Sequence, residues 1–460
     1  MLIAFIALTA RIMLTVLALA SVAAAAGNFA EVTPSPQQVS WQDLEFGVLV
    51  HFGTNTYLDR EWGDGTAPPA VFNPDKFDPE QWVLAAQAAG AQYLVMVAKH
   101  HDGFCLWPTE ESDYSIKASP WKNGHGDMVA EVAAAARKHG MKFGVYLSPW
   151  DRHEPKYADA AAYDEHYQAQ LRELAGNYGE LAEFWLDGAG SQGHVYNFDR
   201  YVETLRIYQP NTLIFADVAL LDYGDARWAG NEDGVVNGED WNVVDRHGLL
   251  RWRPVEADTP LRKNWFWHAS DAAKGVEKLV QIYETSIGRG GQLMLGLSPD
   301  MHGLLSAGDV ARLREFGAAI RALYGDNLMR KRHAVDDPEL ERALDDDRET
   351  FWSAPAGSHH ATIEVRFDKP VTFDRAMTME WLEGGQRVHA YRVEVWTGAG
   401  WKTVAQAQAI GHKKIDIFDP ITADRVRLNL LSTTDAAQIR EFALYDSRAL
   451  HISRGTKRLP

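Results

Sequence analysis

Histidines, carboxylates and aromatic residues recur where apolar runs of this sequence end. The first two runs are followed by histidines, the third contains a tyrosine, and two later runs lead into acids. These residues are His51, His100, His101, Tyr146, Asp187 and Glu232. A single histidine, or an Asp before Gly, is more often structural than catalytic. Their repetition at successive run ends is what indicates an active site.

Further acids and aromatic residues lie in the segments between these runs. EWGDG (61–65) and RWRPVEADTPLRKNWFWH (251–268) each combine acids with tryptophan. The candidates that they add are Glu61, Trp62, Glu256, Arg262 and Trp265.

The residue types in this set favour glycoside hydrolysis over a zinc site or a serine nucleophile. Three histidines invite a zinc site, but His100 and His101 are neighbours, and neighbours on a strand point in opposite directions. The region also has no H-x-H or H-E-x-x-H spacing and no G-x-S-x-G elbow. Two carboxylates among histidines and aromatic rings fit glycoside hydrolysis better, because rings pack on sugar faces and polar groups bind hydroxyls. We therefore expect no metal and no cofactor.

These residues must be positioned by a repeating framework. From Phe46 to about Leu323, continuous apolar runs alternate with amphipathic helical patterns, which is typical of parallel strands covered on both faces. Seven or eight such units favour a (β/α)8 barrel, and the first strand lacks the glycine-rich loop of a nucleotide-binding sheet. The strands are predicted at 46–53, 92–101, 142–151, 183–188, 212–217, 264–268 and 291–299.

The predicted barrel accounts for the location of the candidates. Chemistry in such barrels lies at the carboxyl ends of the strands. Asp187 ends the fourth predicted strand, and Glu232 lies in the long loop after the fifth.

The sequence changes character after Asn327. Short runs with period-two alternation and frequent turns predict a C-terminal antiparallel β-sandwich. We expect a barrel over 27–327, a charged linker over 328–345 and the sandwich over 346–460.

The net charge and the first residues of the sequence indicate which partners and which cellular location to expect. A net charge of −17 argues against a nucleic-acid partner. Residues 1–26 contain one cation, an apolar stretch and a small-residue run, which predicts a secretory signal peptide. A membrane anchor is the weaker alternative, because the apolar stretch after Arg11 is short of a full span. We expect an exported protein, periplasmic or extracellular, with no membrane span after cleavage.

Several of these segments together resemble a known family. GVLVHFG, EWGDG, AKHHDGF, GVYLSPWD, FWLDG and RWAGNE, in this order through about 46–300, are similar to the α-L-fucosidases of glycoside hydrolase family 29. The resemblance implies a retaining mechanism with Asp187 as the nucleophile. RWAGNEDG and PVEADTPLRKNWFWH resemble one branch, which implies Glu232 as the acid/base and a preference for α-1,3- and α-1,4-linked fucose on branched, Lewis-type glycans.

The same resemblance implies which residues bind the sugar. Those expected to bind fucose are His51, Glu61, Trp62, His100, His101, Tyr146, Arg262 and Trp265. The C-terminal region resembles galactose-binding-like modules of the discoidin type. Such a module is a structural support or a sugar-binding domain, and no acidic loop indicates calcium.

Three alternatives stay open from the sequence. Glu256 competes with Glu232 for the acid/base role, and the same region holds Asp233, Glu239 and Asp240. The sugar could be a related one, such as an α-L-galactoside. A carbohydrate-binding protein that has lost catalysis is the alternative outside enzymes.

Overall fold

The computed structural model describes residues 31–216, 224–239, 241–246, 249–333 and 337–449. The predicted signal peptide and Asp240 lie outside the described residues. The described chain forms two units, one of 36–239, 253–327 and 445–449, the other of 31–35, 241–252 and 328–444. No helix among the described residues is long and apolar enough to cross a membrane.

Among the described residues, ten strands precede residue 300. They are β1 (Phe46–Val50), β2 (Tyr93–Lys99), β3 (Lys142–Leu147), β4 (Glu183–Leu186), β5 (Leu213–Ala216), β6 (Ala226–Trp228), β7 (Val243–Arg246), β8 (Leu249–Trp252), β9 (Val255–Pro260) and β10 (Gln292–Leu297). Eight of them close a parallel barrel in the order β1-β10-β9-β6-β5-β4-β3-β2. The apolar runs that predicted β1, β2 and β10 form strands that are buried along their whole length, as strands covered on both faces must be. The barrel prediction is confirmed.

Helices follow six of the eight barrel strands. The described helices of this unit are α1 (Pro36–Gln42), α2 (Thr54–Leu58), α3 (Pro79–Ala89), α4 (Met128–Lys138), α5 (Ala160–Asn177), α6 (Phe198–Tyr208), α7 (Val276–Thr285) and α8 (Ala307–Tyr324). Both ends of α3 have capping residues of the usual types. The Asp78 side chain accepts hydrogen bonds from the first-turn amides, and Gly90 adopts a φ of 103°, which favours glycine. In the described part of the chain, no helix follows β5 or β6.

The second half of the barrel differs from the prediction in two respects. Residues 264–268 form no strand, and the seventh barrel strand is β9 instead. That strand was missed because it carries Glu256, Asp258 and Thr259 where an apolar run was sought. β6 was also missed, so Glu232 follows the sixth barrel strand and not the fifth.

The C-terminal unit is an antiparallel β domain, as predicted. Its strands are β11 (Trp352–Ser353), β12 (Ala361–Glu380), β13 (Val388–Trp396), β14 (Trp401–Ala407), β15 (Lys414–Thr433) and β16 (Gln438–Tyr445), and the short helix α9 spans Pro338–Glu341. The sheet order is β11-β16-β12-β15-β13-β14. Register shifts interrupt the pairing of the two long strands, β12 and β15. The stretch predicted as a linker contributes Leu328, Met329, Ala343 and Leu344 to the core of this unit.

The hairpin of β7 and β8 lies between the sixth and seventh barrel strands in sequence but belongs to the C-terminal unit. Val243 and Trp252 pack with Leu382 in one apolar cluster. The amide of Asn242 donates a 3.0 Å hydrogen bond to Oε1 of Gln386. The C-terminal unit is therefore built from separate parts of the chain.

Candidate active site

Asp187 directly follows β4 and points into a cavity at the carboxyl edge of the barrel. The Tyr146 hydroxyl, on the neighbouring strand β3, donates a 2.6 Å hydrogen bond to Oδ2 of Asp187. The amide of Ala189 donates to Oδ1 at 2.8 Å. Nε2 of His101 lies 3.5 Å from Oδ2. Both carboxylate oxygens are thus held, which fixes the direction in which this group can attack or accept a charge.

Three buried histidines line the same cavity. Burial lowers the pKa of His51 to about 3. Burial, with the adjacent histidines, holds the pKa of His100 well below its ordinary value. Burial also lowers the pKa of His101, although the charge of Asp187 opposes the effect. Neutral imidazoles both donate and accept hydrogen bonds, so this wall suits the hydroxyl groups of a sugar.

The expectation that His100 and His101 point apart is wrong. β2 ends at Lys99, so the pair lies beyond the strand, where alternation no longer holds. Their ring centroids are 4.1 Å apart, and both rings face the cavity. Ligand atoms of His100, His101 and Asp187 lie within 4.8 Å of one another. The sequence argument against shared metal ligation therefore fails, whereas the fit to sugar hydroxyls holds for the same groups.

Tryptophans form much of the remaining wall. Trp62 is 50% exposed, and its ring lies edge-on to Trp150 with centroids 5.4 Å apart. Trp265 lies 4.9 Å from the ring of His51. Trp185 and Trp228 also line the cavity, and neither was singled out from the sequence, although each lies within two residues of the end of its strand. Aromatic faces of this kind pack on the apolar faces of sugars.

Glu232 reaches the cavity from the loop after β6. The amide of Ala229 donates to the Glu256 carbonyl at 2.8 Å, and that of Gly234 donates to the Asp258 carbonyl at 3.1 Å, so the loop is tied to β9 on both sides of Glu232. Partial burial raises the pKa of Glu232, a hydrogen bond with the Trp265 side chain opposes this, and the charge of Asp187 adds to the increase. A carboxyl group with these surroundings is suited to hold a proton.

Glu256 lies in the barrel interior and not in the cavity lining. The residue is fully buried, and its carboxyl group accepts hydrogen bonds from Nε1 of Trp185 at 2.7 Å and from the Tyr93 hydroxyl at 3.3 Å. A group enclosed in this way cannot reach a leaving oxygen. The geometry therefore favours Glu232 as the carboxyl group opposite Asp187.

Glu61 supports the cavity wall from outside the lining. Its carboxylate accepts hydrogen bonds from the amides of Trp265 at 2.8 Å and Phe266 at 3.1 Å, and lies 2.8 Å from Nε2 of His268. These bonds connect the loop after β1 to the segment that carries Trp265.

Arg262 is likewise outside the cavity lining. Its guanidinium group pairs with Asp309 at 2.9 Å and donates to the Asp271 carbonyl at 2.8 Å. Of the eight predicted sugar-binding residues, the structure therefore brings six into the cavity, and Glu61 and Arg262 hold the segment behind it.

Asp258 is a cavity residue that the sequence did not identify. It lies two residues after Glu256 on β9, and residues two apart on a strand share a face. The alternation of acids in PVEAD was the available signal. Nε1 of Trp228 donates a 2.7 Å hydrogen bond to Oδ1 of Asp258.

A barrel whose carboxyl edge gathers acids, neutral histidines and tryptophans in one cavity has the site of a glycoside hydrolase. A family model described as alpha-L-fucosidase matches residues 65–323, and one described as F5/8 type C domain matches 333–442. The chain belongs to the α-L-fucosidase family, glycoside hydrolase family 29.

Two relatives illustrate the extent of the likeness. The chain is 34% identical to Alpha-L-fucosidase 1 of Arabidopsis thaliana over 462 residues, covering 93% of this chain and 90% of the relative. A Ruminococcus gnavus GH29 fucosidase, solved in complex with fucose, superposes with a TM-score of 0.83 at 29% identity, covering 90% of this chain and 95% of that one. The likeness therefore includes both units of the chain.

Proposed function

We propose that the protein is an exo-acting, retaining α-L-fucosidase that releases α-1,3- and α-1,4-linked fucose from branched, Lewis-type glycans. The observation that carries the proposal is that one cavity holds both Asp187, whose two carboxylate oxygens are hydrogen-bonded, and Glu232, whose pKa is raised by partial burial. The linkage preference rests on the RWAGNEDG and PVEADTPLRKNWFWH segments.

In this mechanism, Asp187 attacks the anomeric carbon while Glu232 protonates the departing glycosidic oxygen. The product of this step is a covalent fucosyl-enzyme, and Glu232 then accepts a proton from the water that cleaves it. The bonds from Tyr146 and Ala189 orient the attacking oxygens of Asp187. Neutral His51, His100 and His101 bind hydroxyl groups of the sugar. In this proposal, Glu232 acts on the departing glycan from the loop after β6.

The test compares three proteins on two substrates. Wild type, Asp187→Ala and Glu232→Ala are assayed on an aryl fucoside and on a Lewis-type trisaccharide. We expect Asp187→Ala to lose roughly 10⁴-fold or more in kcat on both. Glu232→Ala is expected to lose most on the trisaccharide, whose leaving group needs a proton, and less on the aryl fucoside. Asp233→Ala, which alters an exposed acid next to Glu232, is the matched control and keeps wild-type rates.

Four outcomes would contradict the proposed function or its residue assignments. Full activity of Asp187→Ala would remove it as the nucleophile, whereas azide rescue to a fucosyl azide of inverted configuration supports it. Leaving-group dependence in Glu256→Ala, and not in Glu232→Ala, would move the acid/base role to Glu256. Faster turnover of an α-L-galactoside than of a fucoside would mean that the substrate is an α-L-galactoside. Inactivity on all substrates with retained fucose binding would mean that the protein is a carbohydrate-binding protein without catalytic activity.

We also propose export to the periplasm or the exterior, on the basis of residues 1–26 alone. Expression with this segment should yield a mature protein that starts near residue 27, as measured by intact mass. A full-length product retained in the cytoplasm would contradict it.

A further inference from the structure

Asp258 contributes a third carboxyl group to the candidate active site. It is neither the proposed nucleophile nor the proposed acid/base. It lies on the seventh barrel strand, is 4% exposed, and lines the cavity together with Asp187 and Glu232. Its Oδ1 accepts the 2.7 Å hydrogen bond from Nε1 of Trp228. Trp228 comes four residues before Glu232, so Asp258 fixes a ring at the base of the acid/base loop.

The charged groups around Asp258 disfavour its ionised, carboxylate form. The titratable groups that face it are Glu232, on the loop after β6, and Glu256, on its own strand. Both are acids. Among the described residues that line the cavity, the basic side chains are the three histidines, whose pKa values are lowered. A buried carboxylate without a cation is costly, and a proton removes that cost.

Asp258 and Asp187 therefore differ in their surroundings although they share one cavity. Asp187 receives hydrogen bonds from a hydroxyl and an amide and lies beside His101. Asp258 has an indole N–H on one oxygen and acids nearby. Burial raises the pKa of Asp258 well above its ordinary value, the Trp228 bond opposes this, and Glu232 and Glu256 add to the increase. Such divergence between carboxyl groups separates their roles.

We propose that Asp258 is a third active-site carboxyl group that works in its protonated form, fixing Trp228 with one oxygen and donating a hydrogen bond from the other to a hydroxyl group of the bound sugar. This rests on the proposed function, because it requires a sugar in the cavity. Asp258 is then a substrate-binding residue, and the step that it performs is recognition, with no bond made or broken.

The test uses the full chain with L-fucose as the probe in titration calorimetry. Asp258→Asn keeps an acceptor for Trp228 and a permanent N–H donor for the sugar, so its affinity is expected within about threefold of wild type. Asp258→Leu removes both and is expected to weaken binding about 10-fold or more, mainly as an increase in KM on an aryl fucoside. Glu277→Gln is the control, because Glu277 is an exposed acid on α7 that does not line the cavity, and its fucose affinity stays unchanged.

Two results would overturn the inference. A loss of 10-fold or more in folded Asp258→Asn would mean that the negative charge is needed, and wild-type affinity in Asp258→Leu would mean that Asp258 does not contact the sugar. If Asp258→Leu does not fold, pH dependence decides. Wild-type affinity should fall with rising pH as Asp258 loses its proton, while that of Asp258→Asn stays level, and parallel curves would contradict the proposal. Absence of fucose binding in wild type would refute the proposed function itself, which the variants alone cannot do.

Discussion

The hydroxyl of Tyr146 donates a 2.6 Å hydrogen bond to Oδ2 of Asp187, from the strand next to the one that Asp187 follows. Tyr146 is fully buried, so its side chain has little freedom to depart from this geometry. A hydrogen bond to a charged group contributes about 1.5–3 kcal/mol.

Tyr146→Phe should therefore lower kcat on an aryl fucoside by roughly 10- to 100-fold, since each 1.36 kcal/mol is about tenfold in rate. The ring and its packing are retained, so the melting temperature should change little. Steady-state kinetics beside a thermal melt measure both. Tyr57→Phe, which removes an exposed hydroxyl bonded to the Met301 carbonyl, is the control. An unchanged kcat in Tyr146→Phe would mean that the bond does not orient the nucleophile.

The pH profile should report Glu232. A general acid works only while protonated, and burial raises the pKa of Glu232, so the alkaline limb of kcat/KM should lie above the pH at which an ordinary glutamic acid ionises. The comparison is made in an Asp258→Asn background, because the loss of the Asp258 proton is also expected to weaken sugar binding. There, Glu232→Ala should lose that limb on an aryl fucoside with a good leaving group, while Asp233→Asn should keep it. The measurement is kcat/KM from pH 4 to pH 9. An alkaline limb that persists unchanged in Glu232→Ala would assign it to another group.

Glu61→Gln should loosen the wall that carries Trp265. A carboxylate accepts from both the Trp265 and Phe266 amides, whereas the amide of Gln presents an N–H to one of them. We expect KM for an aryl fucoside to rise about 10-fold and the melting temperature to fall. Asp59→Asn, which alters the acid on the other nitrogen of His268, should change KM less than about twofold. Equal effects of the two substitutions would show that the Trp265 amide bond is unimportant.

The buried ion pair of Lys99 and Asp151 should stabilise the barrel. Nζ of Lys99 lies 2.8 Å from Oδ2 of Asp151, and both side chains are buried. Lys99→Met would leave the Asp151 carboxylate without its cation, at an expected cost of about 3–5 kcal/mol in the free energy of unfolding. Chemical denaturation measures this, with Lys138→Met, from an exposed pair with Glu80, expected within about 0.5 kcal/mol of wild type.

This pair also predicts acid sensitivity. Burial raises the pKa of Asp151, but the charge and hydrogen bond of Lys99 outweigh it, and the net shift is downward. The folded state therefore holds the carboxylate charged to lower pH than the unfolded chain does. Its stabilisation is present above the unfolded pKa and is lost as the pH falls through the folded one. Similar stability of Lys99→Met and wild type at neutral pH would refute the role of the pair.

Glu183 should make the protein less stable as the pH rises. Burial raises the pKa of Glu183, which interacts with the buried Glu256, so above the ordinary pKa of a glutamic acid the folded state keeps a proton that the unfolded chain releases. The free energy of unfolding then falls with rising pH, by up to about 1.4 kcal/mol per pH unit for this one proton. Glu183→Gln should flatten the slope and melt at higher temperature than wild type at pH 8. Exposed Glu180→Gln should keep the wild-type slope, and a parallel slope in Glu183→Gln would contradict the prediction.

The sequence predicted the first half of the barrel well because those strands are unbroken apolar runs. β1 to β5 lie where such runs occur, and Asp187 ends the fourth. β9 could not be found by the same criterion, because it carries two acids, Glu256 and Asp258, that face the barrel interior. Hydrogen bonds from indole groups on other strands offset the free-energy cost of burying these carboxyl groups. Those partners are distant in sequence and become adjacent only when the barrel closes.

The same limit applied to individual site residues. The resemblance grouped Glu61 and Arg262 with the sugar-binding residues, which stays a prediction. It could not show that they also contact the Trp265 amide and Asp309, which are far away along the chain. His100 and His101 were judged by strand alternation, which fails one residue beyond the end of β2. What the sequence could identify was residue type at a strand end. What it could not identify was the direction of each side chain beyond that end.

The hairpin of β7 and β8 limits how the C-terminal unit can be deleted or exchanged. The chain leaves the barrel unit eight residues after Glu232, supplies two strands to the C-terminal unit, and returns to form β9. Deleting 328–449 would remove the surface on which Val243 and Trp252 pack. If only residues 328–449 were replaced by a domain from another protein, the hairpin would have to pack against a core with a different sequence. The two units therefore have to be exchanged or shortened together, because their segments alternate along the chain.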